Sequence, residues 1–67
     1  MANSKYQRRH YEDTAGTLAL LWIAAGTNPH AQAIVHLALR ETINLYMQDN
    51  PRFDVHRFRQ AVGPWAL

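Results

Sequence analysis

The sequence predicts an all-α fold, in which two long helices form an antiparallel hairpin and a short third helix completes a three-helix bundle. Apolar residues recur at steps of three and four along two long segments, which is the period of a helix with one buried face. Short runs of glycine, asparagine and proline separate these segments, and no stretch shows the alternation of a strand. The 67 residues are 48% hydrophobic and 18% charged, which is typical of a single globular domain spanning residues 1–67.

The first helix is expected to span about residues 4–25. Asn3 or Ser4 is a suitable N-cap, and Gly26 is suited to the left-handed conformation that ends many helices. The apolar stripe of this helix comprises Tyr11, Ala15, Leu18, Trp22 and Ala25, widened by Leu21. Two ion pairs at a spacing of four residues are expected on its surface, namely Arg8 with Glu12 and Arg9 with Asp13.

The second helix is predicted to span residues 29–49. Asn28 is a favoured N-cap, and Pro29 fits the first helical position because no hydrogen bond needs its missing N–H there. The predicted buried stripe comprises Ala31, Ile34, Val35, Ala38, Thr42, Leu45 and Tyr46, with Leu39 at its edge. Because the loop before it is short, the two long helices are expected to lie antiparallel.

The third helix is predicted to span about residues 55–62. Asn50-Pro51 ends the preceding helix, and Asp54 is a good N-cap for the next one. Phe53 and Phe58 have the spacing of a hydrophobic staple, in which the two side chains touch and fix the entry angle of the helix. Gly63-Pro64 is a stop signal, and Trp65 and Leu67 are expected to fold back on the hairpin.

Catalytic and metal-binding patterns are missing from the sequence, so we expect neither an enzyme nor a cofactor. The chain has no cysteine, no glycine-rich phosphate loop and no Gly-x-Ser-x-Gly motif. Glu12 and Asp13 are adjacent on a helix and therefore diverge by about 100°, which does not suit a facing acid–base pair. The four histidines lack the spacing of a helical zinc site; they are His10, His30, His36 and His56.

An apolar run at residues 18–25, preceded by basic residues, loosely resembles a secretion signal. Glu12 and Asp13 adjoin this run, and its removal would leave too little chain to fold. The run is also much shorter than the roughly 20 apolar residues of a membrane-spanning helix. We therefore expect a cytoplasmic protein without a membrane segment.

Basic residues concentrate near the two ends of the chain, although the net charge is only +2. If the fold brings the ends together, a basic patch results that favours acidic partners such as nucleic acid. The candidate phosphate-contacting face comprises Arg8, Arg9, Arg52, Arg57 and Arg59, with Tyr6, Tyr11 and His56 among them. The third helix is short for a recognition helix and carries Phe58 at its middle, which weakens the nucleic-acid hypothesis.

Apolar residues also lie outside the predicted stripes, which favours a protein partner. Leu20, Ile23, Leu37 and Ile43 exceed what a core of this size consumes, and a helix that is apolar on two sides is normally covered on two sides. Trp22 and Trp65 are aromatic anchors of the kind found at interfaces, although Trp22 alone is better explained as core. Self-association would also stabilise so small a domain.

Two motifs resemble a pattern in small phage and prophage proteins of helical character. The first is Arg9-His10-Tyr11-Glu12 followed by Thr14-Ala15. The second is Asn50-Pro51-Arg52-Phe53-Asp54 followed by Arg57-Phe58 and Ala61-Val62-Gly63. Together they cover about a third of the chain, and the Gly63-Pro64-Trp65 ending departs from the pattern. The resemblance implies a phage origin and no particular activity.

Two functional hypotheses follow from these observations. The first is a phage-type protein that binds a host or phage protein as an inhibitor or adaptor and associates with itself; anti-CRISPR activity belongs to this class. The second is a small nucleic-acid-binding regulator that uses the arginine-rich ends.

Overall fold

The fold is all-helical, as the sequence predicts. The computed structural model describes residues 5–67, which form helix α1 (Arg8–Ala25), helix α2 (Pro29–Asp49), helix α3 (Val55–Val62) and a 3₁₀ turn at Pro64–Ala66. Helix α1 packs against both α2 and α3. No helix in this part of the chain combines the length and the apolar character needed to cross a membrane.

The loop of the hairpin follows its predicted chemistry. Gly26 ends α1 with a φ of 56°, a conformation that a side chain would disfavour. The Asn28 side chain caps α2 by accepting hydrogen bonds from the backbone N–H groups of His30 and Ala31, at 3.0 and 3.1 Å. Pro29 occupies the first helical position. The second helix therefore has the predicted bounds.

Helix α1 begins later than predicted. Asn3 and Ser4 lie outside the described residues, and the chain is not yet helical at residues 5–7. The backbone N–H groups of Lys5 and Tyr6 instead donate to the Asp49 carboxylate at the end of α2, at 2.8 and 3.1 Å. This tether uses donors that a longer helix would have left free, and Gln7 becomes the N-cap residue.

Helix α3 has the predicted bounds, cap and staple. The Asp54 carboxylate accepts a hydrogen bond from the Arg57 backbone N–H at 3.0 Å, and the rings of Phe53 and Phe58 lie 5.4 Å apart between centroids. Gly63 follows with a φ of 144°, which is accessible to glycine and strained for other residues.

Replacing the cap of α3 tests how far this helix depends on it. We expect Asp54→Ala to lower the free energy of unfolding by about 1 kcal/mol, because the N–H of Arg57 loses its acceptor. Asp54→Asn is the control, since the amide oxygen still accepts that hydrogen bond. Urea denaturation measures both variants, and equal loss of stability in the two would contradict a capping role.

The core is aromatic at the end of the hairpin where α3 begins. Tyr46 of α2 contacts the rings of Tyr11, Phe53 and Phe58, with centroid distances of 4.7, 5.4 and 5.8 Å. Its hydroxyl hydrogen-bonds the hydroxyl of Thr14 on α1, so this buried polar group is satisfied. One tyrosine thus joins all three helices.

The buried face of α2 differs from the predicted stripe. Ile34 and Leu45 were expected in the core but are 66% and 48% exposed, whereas Ile43, expected outside the stripe, is buried beside Leu39. At 100° per residue, the buried arc is rotated by roughly 80° from the predicted one. Ile43 belongs to the same core cluster as Phe58 and Val62 of α3, so the buried arc includes positions outside the predicted stripe.

Helix α1 shows a smaller difference. Ala15, Leu18 and Ala25 are buried and Tyr11 and Trp22 are half-buried, as predicted, but Leu21 is 45% exposed. At 100° per residue it falls about 40° beyond Ala25, at the margin of the buried stripe.

The C-terminal segment folds back through Trp65 and Ala66. The Trp65 ring stacks on Trp22 with centroids 4.4 Å apart and planes inclined by 6°, while the His36 ring meets both tryptophans edge-on. Leu67, also expected to fold back, is exposed. The packed segment ends one residue before Leu67, because Ala66 in the 3₁₀ turn is the last buried residue.

Candidate functional site

Four of the predicted partner-binding residues line one cleft. Arg8 and Tyr11 enter it from the first two turns of α1, and Arg52 and Arg57 from the loop before α3 and from α3 itself. The cleft has a volume of about 320 Å³, which is at the small end of ligand-binding pockets. Its other lining residues are Glu12, Asn50, Phe53, Asp54, Phe58 and Ala61. The fold therefore brings the two basic ends of the chain together in part.

Local hydrogen bonds hold the loop that carries Arg52. The Asn50 side-chain oxygen accepts from the Arg52 backbone N–H at 3.0 Å, and the Asn50 carbonyl accepts from the Phe53 N–H at 2.9 Å. Phe53 is thereby turned inward, and its ring lies 4.7 Å from that of Tyr11. The Asn-Pro-Arg-Phe-Asp motif thus exposes its arginine while burying its phenylalanine.

The arginines of the cleft differ in their partners. The Arg8 guanidinium contacts the Glu12 carboxylate at 3.1 Å, as predicted. Within residues 5–67, the side chains of Arg52 and Arg57 form no ion pair, because the Asp49 and Asp54 carboxylates accept backbone N–H groups instead. Two guanidinium groups at the cleft therefore keep their full set of donors.

Arg9 and Arg59 lie away from this cleft. Arg9 is exposed and forms no ion pair with Asp13 among the described residues, contrary to expectation. The Arg59 guanidinium donates to the Ala66 carbonyl at 2.8 Å and lines a separate groove with His36, Leu37 and Arg40. Arg59 therefore holds the C-terminal turn, and the five arginines do not form a single basic face.

A second candidate surface is the side of the hairpin that α3 leaves open. At 100° per residue, Ile34, Ala38 and Leu45 of α2 fall within about 40° of one another, on the side away from the α3 contacts. On α1, Leu21 lies seven residues after Thr14, which is about two turns, and therefore on the same face. Thr14 marks the contact with α2, because its hydroxyl hydrogen-bonds that of Tyr46. We call Leu21, Ile34, Ala38 and Leu45 the open face; Ala38 is half-buried and the other three are exposed. Exposed apolar side chains gathered on one side of a helix pair are candidates for burial by a partner.

The remaining predicted contact residues do not share a surface. Trp22 and Trp65 are half-buried against each other, so their stacking is internal to the fold. Ile23 of α1 and Leu37 of α2 are both exposed. Each directly follows one residue of the Trp22–His36 contact and points outward from its helix. Ile43, grouped with them from the sequence, is a core residue.

Two features of this end of the molecule were not foreseen from the sequence. The Asp49 carboxylate accepts two backbone hydrogen bonds over a separation of more than forty residues, which no local pattern signals. The Tyr11 hydroxyl is buried and has no hydrogen-bond partner among the described residues. Such a group is unfavourable by about 1–3 kcal/mol, and it lies on a residue that lines the cleft.

The histidine and acidic side chains of residues 5–67 do not gather into a group of three or more that could hold a metal ion. His10 and His36 instead lie against aromatic rings, those of Tyr6 and of the two tryptophans. Comparison with known proteins gives no matching family model, no similar curated protein and no similar solved structure. The site must therefore be interpreted from its own chemistry.

Proposed function

We infer that this chain is a small protein-binding module that acts as an inhibitor or adaptor of a host or phage protein and associates with itself. The observation that supports this function is the open face, where Leu21, Ile34 and Leu45 remain exposed around Ala38. Small residues at the centre with larger ones at the margins suit the packing of another helix into the groove between α1 and α2. A second copy of the chain supplies such a helix.

The phage assignment rests on the resemblance of the two motifs and not on the open face. A phage protein of this kind acts in the cytoplasm of the host cell, and anti-CRISPR activity is one form that the proposed inhibition can take. Affinity capture from nuclease-treated host lysate identifies the protein partner. Recovery of nothing but nucleic-acid-dependent complexes would contradict the protein-binding function.

Nucleic-acid binding remains the alternative, and the arrangement of the arginines gives it less support. Arg59 is engaged by a backbone carbonyl, and two carboxylates, Glu12 and Asp54, lie within the cleft. A surface for the phosphate backbone would place several cations along one side without interposed carboxylates.

The double variant Ile34→Glu with Leu45→Glu tests the open face. Both side chains are exposed and glutamate is a good helix former, so we expect the circular dichroism spectrum to be unchanged. Burial of two carboxylates at an apolar interface is unfavourable, so the dissociation constant for self-association should rise at least tenfold, as measured by sedimentation equilibrium.

The matched control is Ile23→Glu with Leu37→Glu, which also introduces two glutamates at exposed apolar positions, here one on each long helix and on the outer sides. We expect this control to associate like the unchanged protein. Loss of association in the control alone would assign the interface to those outer sides and contradict the open face. A wild-type chain that stays monomeric up to millimolar concentration would contradict self-association itself.

A further inference from the structure

The cleft beside the start of α3 combines an apolar base with arginine side chains. Tyr11, Phe53 and Phe58 line it and pack on one another, while Ala61 contributes only a methyl group and leaves space. Pockets that bind small ligands have this composition, with apolar and aromatic walls and a few polar groups that fix orientation. The cleft is separate from the open face, which lies across the hairpin from α3.

Arg52 and Arg57 supply the groups that would fix a ligand's orientation. Their backbone N–H groups are bound to Asn50 and Asp54, so the main chain that carries each arginine is fixed. Their guanidinium groups have no carboxylate partner within residues 5–67. A guanidinium presents its donors in a planar fork that matches a carboxylate in two parallel hydrogen bonds.

The charges of the cleft select among anions. Its lining contains three arginines and two carboxylates, and one arginine is paired with Glu12. The net charge of this lining is therefore +1, which balances one carboxylate and does not balance a phosphate dianion or a strand of phosphates. An apolar group attached to the carboxylate would cover the aromatic base and gain the free energy of burial.

We propose that this cleft binds a single carboxylate attached to an aromatic or branched apolar group, as presented by the C-terminal residue of a peptide. The carboxylate is held by Arg52 and Arg57, and the apolar group rests against Phe53, Phe58 and Ala61. Binding at this cleft does not depend on the open face or on self-association.

N-acetylphenylalanine and its uncharged amide are the probes that test this proposal. Titration of the ¹⁵N-labelled protein with the acid should shift the amide resonances of Asn50, Arg52 and Arg57 with a dissociation constant on the order of 1 mM. The amide has the same ring without the negative charge, and we expect it to bind at least tenfold more weakly. Binding of both probes with equal affinity would overturn the role of the arginines.

Variants of the cleft separate specific binding from general charge attraction. Arg57→Gln and Arg52→Gln should each weaken binding of the acid about tenfold, since a charge-assisted pair is lost. Arg9→Gln removes the same charge from an exposed position outside the cleft and should leave the affinity unchanged. Ala61→Trp should abolish binding by filling the cleft while the exposed position keeps the fold intact.

Other anions and the open-face variant complete the experiment. Inorganic phosphate and a short single-stranded oligonucleotide should produce no saturable shifts at 150 mM salt. If either one bound more tightly than N-acetylphenylalanine, the ligand of the cleft would be a phosphate and the proposal would be overturned. The Ile34→Glu, Leu45→Glu variant should bind the acid normally. This last measurement keeps a failure of the cleft distinct from a failure of the proposed protein-binding function.

Discussion

Phe58→Ala is expected to unfold most of the protein at room temperature. The Phe58 side chain is 4% exposed and its ring packs on both Phe53 and Tyr46. Truncation of a buried phenylalanine lowers the free energy of unfolding by about 3–5 kcal/mol, because transfer energy is lost and a cavity remains. A domain of this size has about 5 kcal/mol or less to lose. The staple residue of a two-turn helix is thus a central element of the whole core.

Circular dichroism and thermal denaturation measure this effect. Leu20→Ala is the matched control, since it also truncates a large apolar side chain on a helix but at an exposed position, and its effect should stay within about 0.5 kcal/mol. A cooperative transition of Phe58→Ala close to that of the unchanged protein would show that α3 is peripheral to stability.

The sequence predicts helix bounds well where the chain carries its own local signals. Asn28 with Pro29, and Asp54 with the Phe53–Phe58 staple, act within a few residues of themselves, so α2 and α3 begin where predicted. The start of α1 was misplaced because part of what sets it is distant, beside the local hydrogen bond from the Gln7 N–H to the His10 ring. The Asp49 carboxylate binds the backbone of Lys5 and Tyr6, and only the hairpin brings these groups together.

The orientation of the helices about their own axes is the part that the sequence could not provide. A single apolar stripe on α2 predicts burial of Ile34 and Leu45, since each falls on the periodic face. The true buried arc includes Ile43, which joins the core cluster that contains Phe58 and Val62 of α3. Ile34 and Leu45, at the opposite edge of the predicted stripe, stay exposed and form part of the open face.

The candidate site was predicted in part for a similar reason. Arg52 and Arg57 could be selected from the sequence, because the motif around them assigns structural roles to Asn50, Phe53 and Asp54 but none to the arginines. That Arg8 and Tyr11 join them, and that Arg59 does not, depends on the packing of α3 along α1.

Trp65→Ala is expected to have the second-largest effect on stability. The Trp65 ring covers Trp22 at stacking distance and meets the edge of His36, so it joins the C-terminal turn to both long helices. Since Trp65 is half-buried, we expect a loss of about 2 kcal/mol, below the range for a fully buried tryptophan. Two stacked indoles also couple their electronic transitions, so the near-ultraviolet circular dichroism should change sharply in this variant.

Leu67→Ala provides the matched control, because Leu67 lies in the same C-terminal segment and its apolar side chain is 67% exposed. We expect its free energy of unfolding and its near-ultraviolet spectrum to match those of the unchanged protein. If Trp65→Ala were equally silent, the stack would not contribute to the folded state and Trp22 would be available as an exposed aromatic anchor. The stack occupies the face of the Trp22 ring, so the proposed partner contacts are assigned to the open face and to the arginine-lined cleft.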